Sequence, residues 1–183
     1  GFRIMSVGNC EPQEESDNDR LSGELVPIIS RDQLEDEAEK FLTRYYPDAL
    51  DKPMRVPIET IASDMKLHVI EDVPLSDDLT YFGIIIFDNG NVLDKHRKIT
   101  IRNAKRGTVY LDPRVSYERS VGTKRTTLAH ECFHWYRHQP YHVLMKMIGA
   151  NDNLGRAIQC QIAANNTDSD KWKAVDWMEW QAK

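Results

Sequence analysis

The spacing of hydrophobic positions along the chain predicts helices first, then strands, then helices again. Between Ser30 and Pro47, apolar residues recur every three or four positions, which is the repeat of an amphipathic helix. Ser30 and Gln33 match the S-x-x-Q capping box at the start of this helix, and Pro47 ends it. The stretch VPIETIASDMKL has the same repeat, with Pro57 suited to the first helical position, and predicts a second, short helix.

Shorter apolar runs in the middle of the chain predict strands. They cover 67–71, 82–87, 98–102 and 108–111. Turn-forming residues at 88–90 and 103–107 separate the later runs, so we expect hairpins there. The helical repeat returns roughly at 123–138, 141–148 and 170–183. The polar stretch 149–170 is expected to be irregular, and the whole pattern predicts an α+β fold with helices packed on a small, mostly antiparallel sheet.

Composition and charge limit the class of protein. The 183 residues are 40% hydrophobic, which suits one domain with a hydrophobic core. We expect residues 1–29, which are rich in acidic and polar positions, to form a flexible tail, and residues 30–183 to form a single domain. The net charge of −5 argues against nucleic acid or an anionic membrane as a direct partner. Three widely spaced cysteines without a pairing pattern favour reduced thiols and a cytoplasmic protein.

Four histidines follow one another at intervals of four residues in TLAHECFHWYRHQPYH, and the first two belong to an H-E-x-x-H motif. His130 and His134 lie one turn apart on one helical face, so both imidazoles can reach one ion. Zinc accepts imidazole nitrogen and lowers the pKa of its water to about 7. Glu131 lies about 100° further round the helix, where it can act on that water as a general acid/base. Such a site hydrolyses peptide bonds, and Cys132, on the opposite side, is expected in the core.

The other two histidines of the series are weaker candidates. Pro140 ends the predicted helix between His138 and His142, and His138 lies about 12 Å along the axis from His130, too far to share its ion. We expect His138 and His142 to be solvated or to cap the helix. Alternatively they, or Tyr141, contact the substrate or stabilise its oxyanion.

The third metal ligand has to come from a distant part of the chain, because a catalytic zinc ion usually has three protein ligands. In the last predicted helix, Glu179 lies within a stripe of apolar residues. A buried carboxylate is costly unless it is paired or bound to metal, so we expect the stripe to direct Glu179 at the ion. Asp176 borders the same face and is the second candidate, either as a ligand or as an acceptor for a histidine N–H.

The segments RTTLAHECFH and WMEWQA together resemble the ImmA/IrrE family of metallopeptidases. That family commonly has an arginine shortly before A-H-E-x-x-H and an E-x-x-A stretch on a later helix. The resemblance extends from about Pro57 and includes the order of a short helix, a few strands and the active-site helix. The matching positions are Arg125, Ala129, His130, Glu131, His134, Glu179 and Ala182.

This resemblance implies a fold, a metal centre and a substrate. It implies a zincin-like metallopeptidase domain over residues 30–183, one zinc ion held by His130, His134 and Glu179, and Glu131 as the general acid/base. Members of this family cut, or license the destruction of, helix-turn-helix transcriptional repressors in bacterial mobile-element or stress regulation. A protein substrate of that kind is therefore the expected partner.

The chain departs from the family pattern in three places. Phe133 stands where the family usually has glycine. The gap of 45 residues between His134 and Glu179 is long and predicts an insertion around 140–170. The chain also stops at Lys183, just after the E-x-x-A stretch, so we expect a truncated C-terminal end.

Two functions fit these observations. The first is a zinc-dependent endopeptidase that hydrolyses a peptide bond in a regulatory protein. The alternative is a non-catalytic regulatory module, in which zinc clamps the last helix to the active-site helix and the protein binds a repressor without cleaving it. The first requires a coordination position that is open to water, whereas the second predicts a closed site.

Overall fold

The computed structural model describes residues 29–94, 99–147, 157–161 and 174–182 of the chain. In chain order, its helices and strands are α1 (Arg31–Tyr45), α2 (Asp48–Asp51), α3 (Ile58–Asp64), β1 (His68–Ile70), β2 (Tyr81–Ile86), β3 (Gly90–Asp94), β4 (Ile99–Ala104), β5 (Thr108–Leu111), α4 (Val121–Arg137), α5 (Gln139–Met147), β6 (Ala157–Gln161) and α6 (Ala174–Gln181). A π-helical turn, Val115–Arg119, precedes α4. The predicted tail lies outside the described residues, apart from Ile29. Within the described segments, no helix is long and apolar enough to cross a membrane.

The first helices form where the hydrophobic repeat predicts them. The Ser30 side chain accepts a hydrogen bond from Gln33 N at 3.2 Å, and the Gln33 side chain accepts one from Ser30 N at 2.7 Å. These two bonds confirm the capping box at the start of α1, which ends at Tyr45, shortly before Pro47. Pro57 is the N-cap of α3, one position before the place predicted for it.

The strands form two sheets. The larger has the order β1-β5-β2-β6, and the smaller consists of β3 and β4. Strand β1 is parallel to β5, whereas β2 is antiparallel to both β5 and β6. The predicted α+β class is confirmed, and the main sheet is mixed because of its one parallel pair.

Two predictions about the strands are wrong. Neither hairpin expected at 88–90 or 103–107 forms: β4 pairs with β3, a strand that was not predicted, and with neither β2 nor β5. The reason is that β5 is buried along its whole length and lies between β1 and β2 in the larger sheet. Residues 157–161 form β6, although the polar composition of 149–170 predicts irregular structure. Residues 158–161 alternate apolar and polar side chains, which is a strand signal that the polar composition of the longer stretch conceals, and they pair with β2.

Strand β2 separates two clusters of buried side chains. Ile85 packs with residues of α3 and α4 on one face of the sheet, and Ile84 and Ile86 pack with the β3–β4 hairpin on the other. This alternation follows from strand geometry, in which successive side chains point to opposite faces. Gly83 has the same parity as Ile85, so it faces α4, the helix that carries the first two histidines.

Candidate metal centre

Helix α4 holds the H-E-x-x-H motif in a fixed position on the sheet. Ser120 caps the helix by accepting a hydrogen bond from the Thr123 backbone N–H at 2.9 Å. Leu128 and Cys132, which lie one turn apart, are buried in the core beneath it. The two motif histidines are one turn apart as well, and both are buried on the side of α4 that meets α6.

Three potential metal ligands converge where α6 lies against α4. The Nε2 atoms of His130 and His134 are 2.9 Å apart. The carboxylate of Glu179 reaches both rings, with Oε2 3.2 Å from His130 Nε2 and Oε1 3.3 Å from His134 Nε2. The ligand atoms all lie within 4.8 Å of one another, so this group could hold a metal ion. The structure thus brings together the three residues that the sequence predicts as ligands.

Hydrogen bonds on the outer sides of the imidazoles determine which nitrogen faces the carboxylate as a lone pair. His130 Nδ1 is 3.0 Å from the carbonyl oxygen of Ala182, which can only accept, so Nδ1 carries the hydrogen. His134 Nδ1 is 2.8 Å from His138 Nδ1, and His138 Nε2 is 3.0 Å from Gln181 Oε1. His138 therefore donates from Nε2 to Gln181 and accepts at Nδ1 from His134.

This donor set fits a divalent cation. In its neutral form an imidazole has a single N–H, and these hydrogen bonds favour Nδ1 as its place in both rings. Each Nε2 can then present a lone pair to the centre. The third group, the ionised carboxylate of Glu179, also presents only lone pairs. Three such atoms at these distances repel one another unless a cation lies between them. Two imidazole nitrogens and one carboxylate oxygen form a ligand set used by catalytic zinc sites.

Burial favours the neutral forms of His134 and His138. Burial lowers the pKa of His134 to about 4, so its imidazole is neutral near pH 7. Burial also lowers the pKa of His138 well below its usual value, which leaves a lone pair free to accept from His134.

Glu131 is fully buried and lies against strand β2. A Cβ atom added to Gly83 would be 2.8 Å from Glu131 Oε1 and 2.8 Å from Cγ2 of Thr127. The carboxylate therefore occupies space that is open only because residue 83 is glycine. Its acid/base role stays a prediction.

A cleft of about 690 Å³ opens beside the histidines, between α1, the start of α3 and α4. Its walls are mainly apolar and include Leu34, Phe41, Ile58 and Phe133, and it extends to His130. Ligand pockets in proteins are commonly of this size and character. The cleft has room for an apolar side chain next to the candidate metal centre.

His138 and His142 are buried, so the expectation that they are solvated is wrong. The other expectation, that His138 caps the helix, agrees with its position at the C-cap of α4. Pro140 falls in the first turn of α5, where a missing N–H is tolerated, so the chain continues as a helix and both rings pack inward. His142 stacks on Phe87 with ring centroids 3.8 Å apart, and Tyr141, half-buried, packs edge-to-face on His142 at 5.3 Å. Their roles toward a substrate or oxyanion stay predictions.

Three further residues singled out by the sequence have clear positions. Cys132 lies in the core, where burial raises the pKa of its thiol to about 12. Arg125 donates to the Glu59 carboxylate at 2.6 and 2.7 Å and also to the carbonyl oxygen of Val56, so it ties α4 to the start of α3. Asp176 is half-buried on α6 and does not belong to the group of potential ligands found among the described residues.

Sequence reasoning missed two residues that shape the site. Gln181, two residues after Glu179, holds His138 from α6. Gly83 leaves the space into which Glu131 packs. The second had a signal, because a lone glycine inside the apolar run YFGIIIF often marks a close approach of another group.

Comparison with known proteins assigns no family to the chain. No family model, curated protein or solved structure matches the chain. The chain is therefore described by its structure alone, as an α+β protein in which two histidines and one carboxylate form a group that could hold a metal ion.

Proposed function

We propose that this chain is a zinc-dependent endopeptidase of the ImmA/IrrE type, with a zincin-like fold, that acts on a regulatory protein. The observation that supports this most is the convergence of His130, His134 and Glu179, whose potential ligand atoms all lie within 4.8 Å of one another. Zinc is the ion we infer, because it combines imidazole nitrogen with carboxylate oxygen in catalytic sites.

The residues around the centre have separate tasks in this proposal. When bound, zinc supplies Lewis-acid chemistry, which polarises the scissile carbonyl and makes water acidic enough to be activated at neutral pH. Glu131 takes a proton from the attacking water and delivers it to the leaving amine. Packing against Gly83 and Thr127 restricts the Glu131 side chain, which favours a single orientation for this transfer.

The apolar cleft beside His130 supports a peptide substrate. It offers about 690 Å³ between α1, α3 and α4, enough for a large aliphatic or aromatic side chain. The helix-turn-helix repressors expected from the family resemblance carry such side chains in their cores. Cleavage of an unfolded or partly opened repressor in the cytoplasm is the activity that this arrangement favours.

Glutamine in place of Glu131 tests the proposed chemistry. Wild type, Glu131→Gln and the matched control Glu118→Gln, which changes an exposed glutamate, are each loaded with zinc and incubated with a panel of purified helix-turn-helix repressors. We expect all three proteins to bind one zinc ion. Mass spectrometry should find new peptide termini with wild type and Glu118→Gln only. Cleavage by Glu131→Gln at the full rate would refute the acid/base role.

The burial of the site favours a second function. Glu131 and His134 are fully buried, and only 16% of the Glu179 side chain is exposed. A closed centre of this kind suits a regulatory module in which zinc clamps α6 to α4 and the protein binds a repressor without cutting it. In that case every repressor keeps its intact mass, and Glu179→Ala weakens repressor binding in a pull-down with zinc present.

A further inference from the structure

Helix α6 contributes more to the candidate centre than one ligand. Glu179 faces the two Nε2 atoms, the Gln181 side chain accepts from His138, and the Ala182 carbonyl accepts from His130. Three contacts within four residues thus reach both the inner and the outer sides of the histidines. The end of α6 and the centre are therefore built as one unit.

The side chains behind His134 form a hydrogen-bonded series, in which each donor and each acceptor can be assigned. Because Gln181 Oε1 only accepts, His138 has to donate from Nε2, and its Nδ1 is then free to accept from His134. All three side chains are buried, with 0% of His134, 3% of His138 and 2% of Gln181 exposed. Bulk water cannot replace a lost partner there, so each member depends on the next.

This hydrogen-bonded series differs from the contacts that a metal-bound histidine usually makes with its outer nitrogen. The outer N–H of such a ligand normally donates to a carboxylate, a backbone carbonyl or water. His130 follows that rule through Ala182, whereas His134 donates to a neutral imidazole that is itself anchored on α6. The arrangement adds no negative charge behind His134 and makes its orientation dependent on where α6 lies.

We infer that His138 and Gln181 are positioning residues of the metal centre, which lock the His134 tautomer that offers Nε2 to the ion and link ion binding to the docking of α6. The inference rests on the metal site of the proposed function, but not on peptidase activity. Removing either residue leaves His134 free to rotate or to change tautomer. The ion then binds more weakly although all three ligands are still present.

Substitutions that remove or retain the acceptor separate this role from ordinary packing. His138→Leu and Gln181→Met remove the acceptor, whereas His138→Asn and Gln181→Glu keep an oxygen in its place. His142→Leu is the matched control, because it removes another buried histidine that stacks on Phe87. Zinc affinity is measured by competition with a chromophoric chelator, and the d–d absorption of bound Co²⁺ reports the coordination geometry.

We expect His138→Leu and Gln181→Met to lose about 10- to 100-fold in zinc affinity and to alter the Co²⁺ spectrum. His138→Asn and Gln181→Glu should recover most of both. His142→Leu should lower the thermal unfolding temperature. It should change the zinc affinity less than about twofold, since the hydrogen bonds from His134 to His138 and from His138 to Gln181 stay intact.

Each remaining outcome has a definite meaning. Wild-type affinity in both His138→Leu and Gln181→Met would overturn the inference and leave the proposed function standing, whereas a wild type without zinc affinity would overturn both. An equal loss in His142→Leu would show that general packing is responsible and would also overturn the inference. If His138→Leu does not fold, Gln181→Met decides, together with amide hydrogen exchange of residues 174–182, which zinc should slow in wild type and not in that variant.

Discussion

Alanine at position 83 tests how tightly Glu131 is packed beneath α4. The added methyl carbon would be 2.8 Å from Glu131 Oε1, 2.8 Å from Thr127 Cγ2 and 3.3 Å from Glu131 Cγ. To reach ordinary contact at 3.4 Å, the two closest atoms have to retreat by about 0.6 Å. Both belong to α4, which is held by the core on the same side, so this movement disturbs Glu131 directly.

The sign of the stability change decides whether this account is correct. Gly83 is not among the glycines with positive φ, so its backbone accepts alanine without strain. In open space the substitution would stabilise the protein by about 0.4–1 kcal/mol, because alanine lowers the entropy of the unfolded chain. Overpacking a dense interior costs about 1–3 kcal/mol. We therefore expect Gly83→Ala to lower the free energy of unfolding by about 1–2 kcal/mol.

Urea unfolding measures this effect in wild type, Gly83→Ala, Thr127→Ser, the double variant that combines them, and one control variant. Serine lacks the methyl carbon but keeps the hydroxyl that donates to the Thr123 carbonyl at 2.9 Å, so the Gly83→Ala penalty should be smaller in its presence. Gly122→Ala is the matched control, because its methyl meets Ser120 Oγ at an ordinary 3.5 Å. A Gly83→Ala protein as stable as wild type would show that Glu131 and Thr127 are not tightly packed against residue 83.

Three further predictions concern the core, the ion and the thiol. Burial by itself raises the pKa of Asp112, but hydrogen bonds from Arg114 and from Leu75 N lower it below its unfolded value. This carboxylate therefore stabilises the fold fully above its unfolded pKa, which is near 4. The stabilisation decreases as the pH falls through the lower folded pKa. Asp112→Asn should cost about 1.5–3 kcal/mol in urea unfolding at pH 7 and much less near pH 2, and a constant difference would contradict this. Zinc at 100 times its Kd should add about 2.7 kcal/mol to the free energy of unfolding. This gain in stability should vanish with a chelator and in the Glu179→Ala variant. A gain that survives in Glu179→Ala would count against Glu179 as a ligand. Iodoacetamide should leave Cys132 unmodified in the folded protein and label it in urea, because burial raises the pKa of the thiol to about 12. Peptide mass spectrometry follows the labelling. Rapid labelling of the folded protein would show that the core around Cys132 opens.

Features set by local geometry could be predicted from the sequence. The capping box at Ser30 and the shared face of His130 and His134 each depend on residues within about one helical turn of each other. Glu179 could be singled out as well, because a carboxylate inside an apolar stripe needs a partner. The strand pairings could not, since β5 and β6 find their places through contacts with distant segments.

Residue spacing is enough to predict an α+β chain with two imidazoles one helical turn apart and a distant carboxylate suited to join them. Three features became visible only in the folded protein: α6 brings Glu179 within 3.3 Å of both rings, Gln181 and His138 support His134 from behind, and Gly83 leaves space for a buried carboxylate. The physical reason is that the helical repeat fixes distances between near neighbours along the chain. Contacts between distant residues depend on how whole helices and strands share one core, which no local spacing encodes.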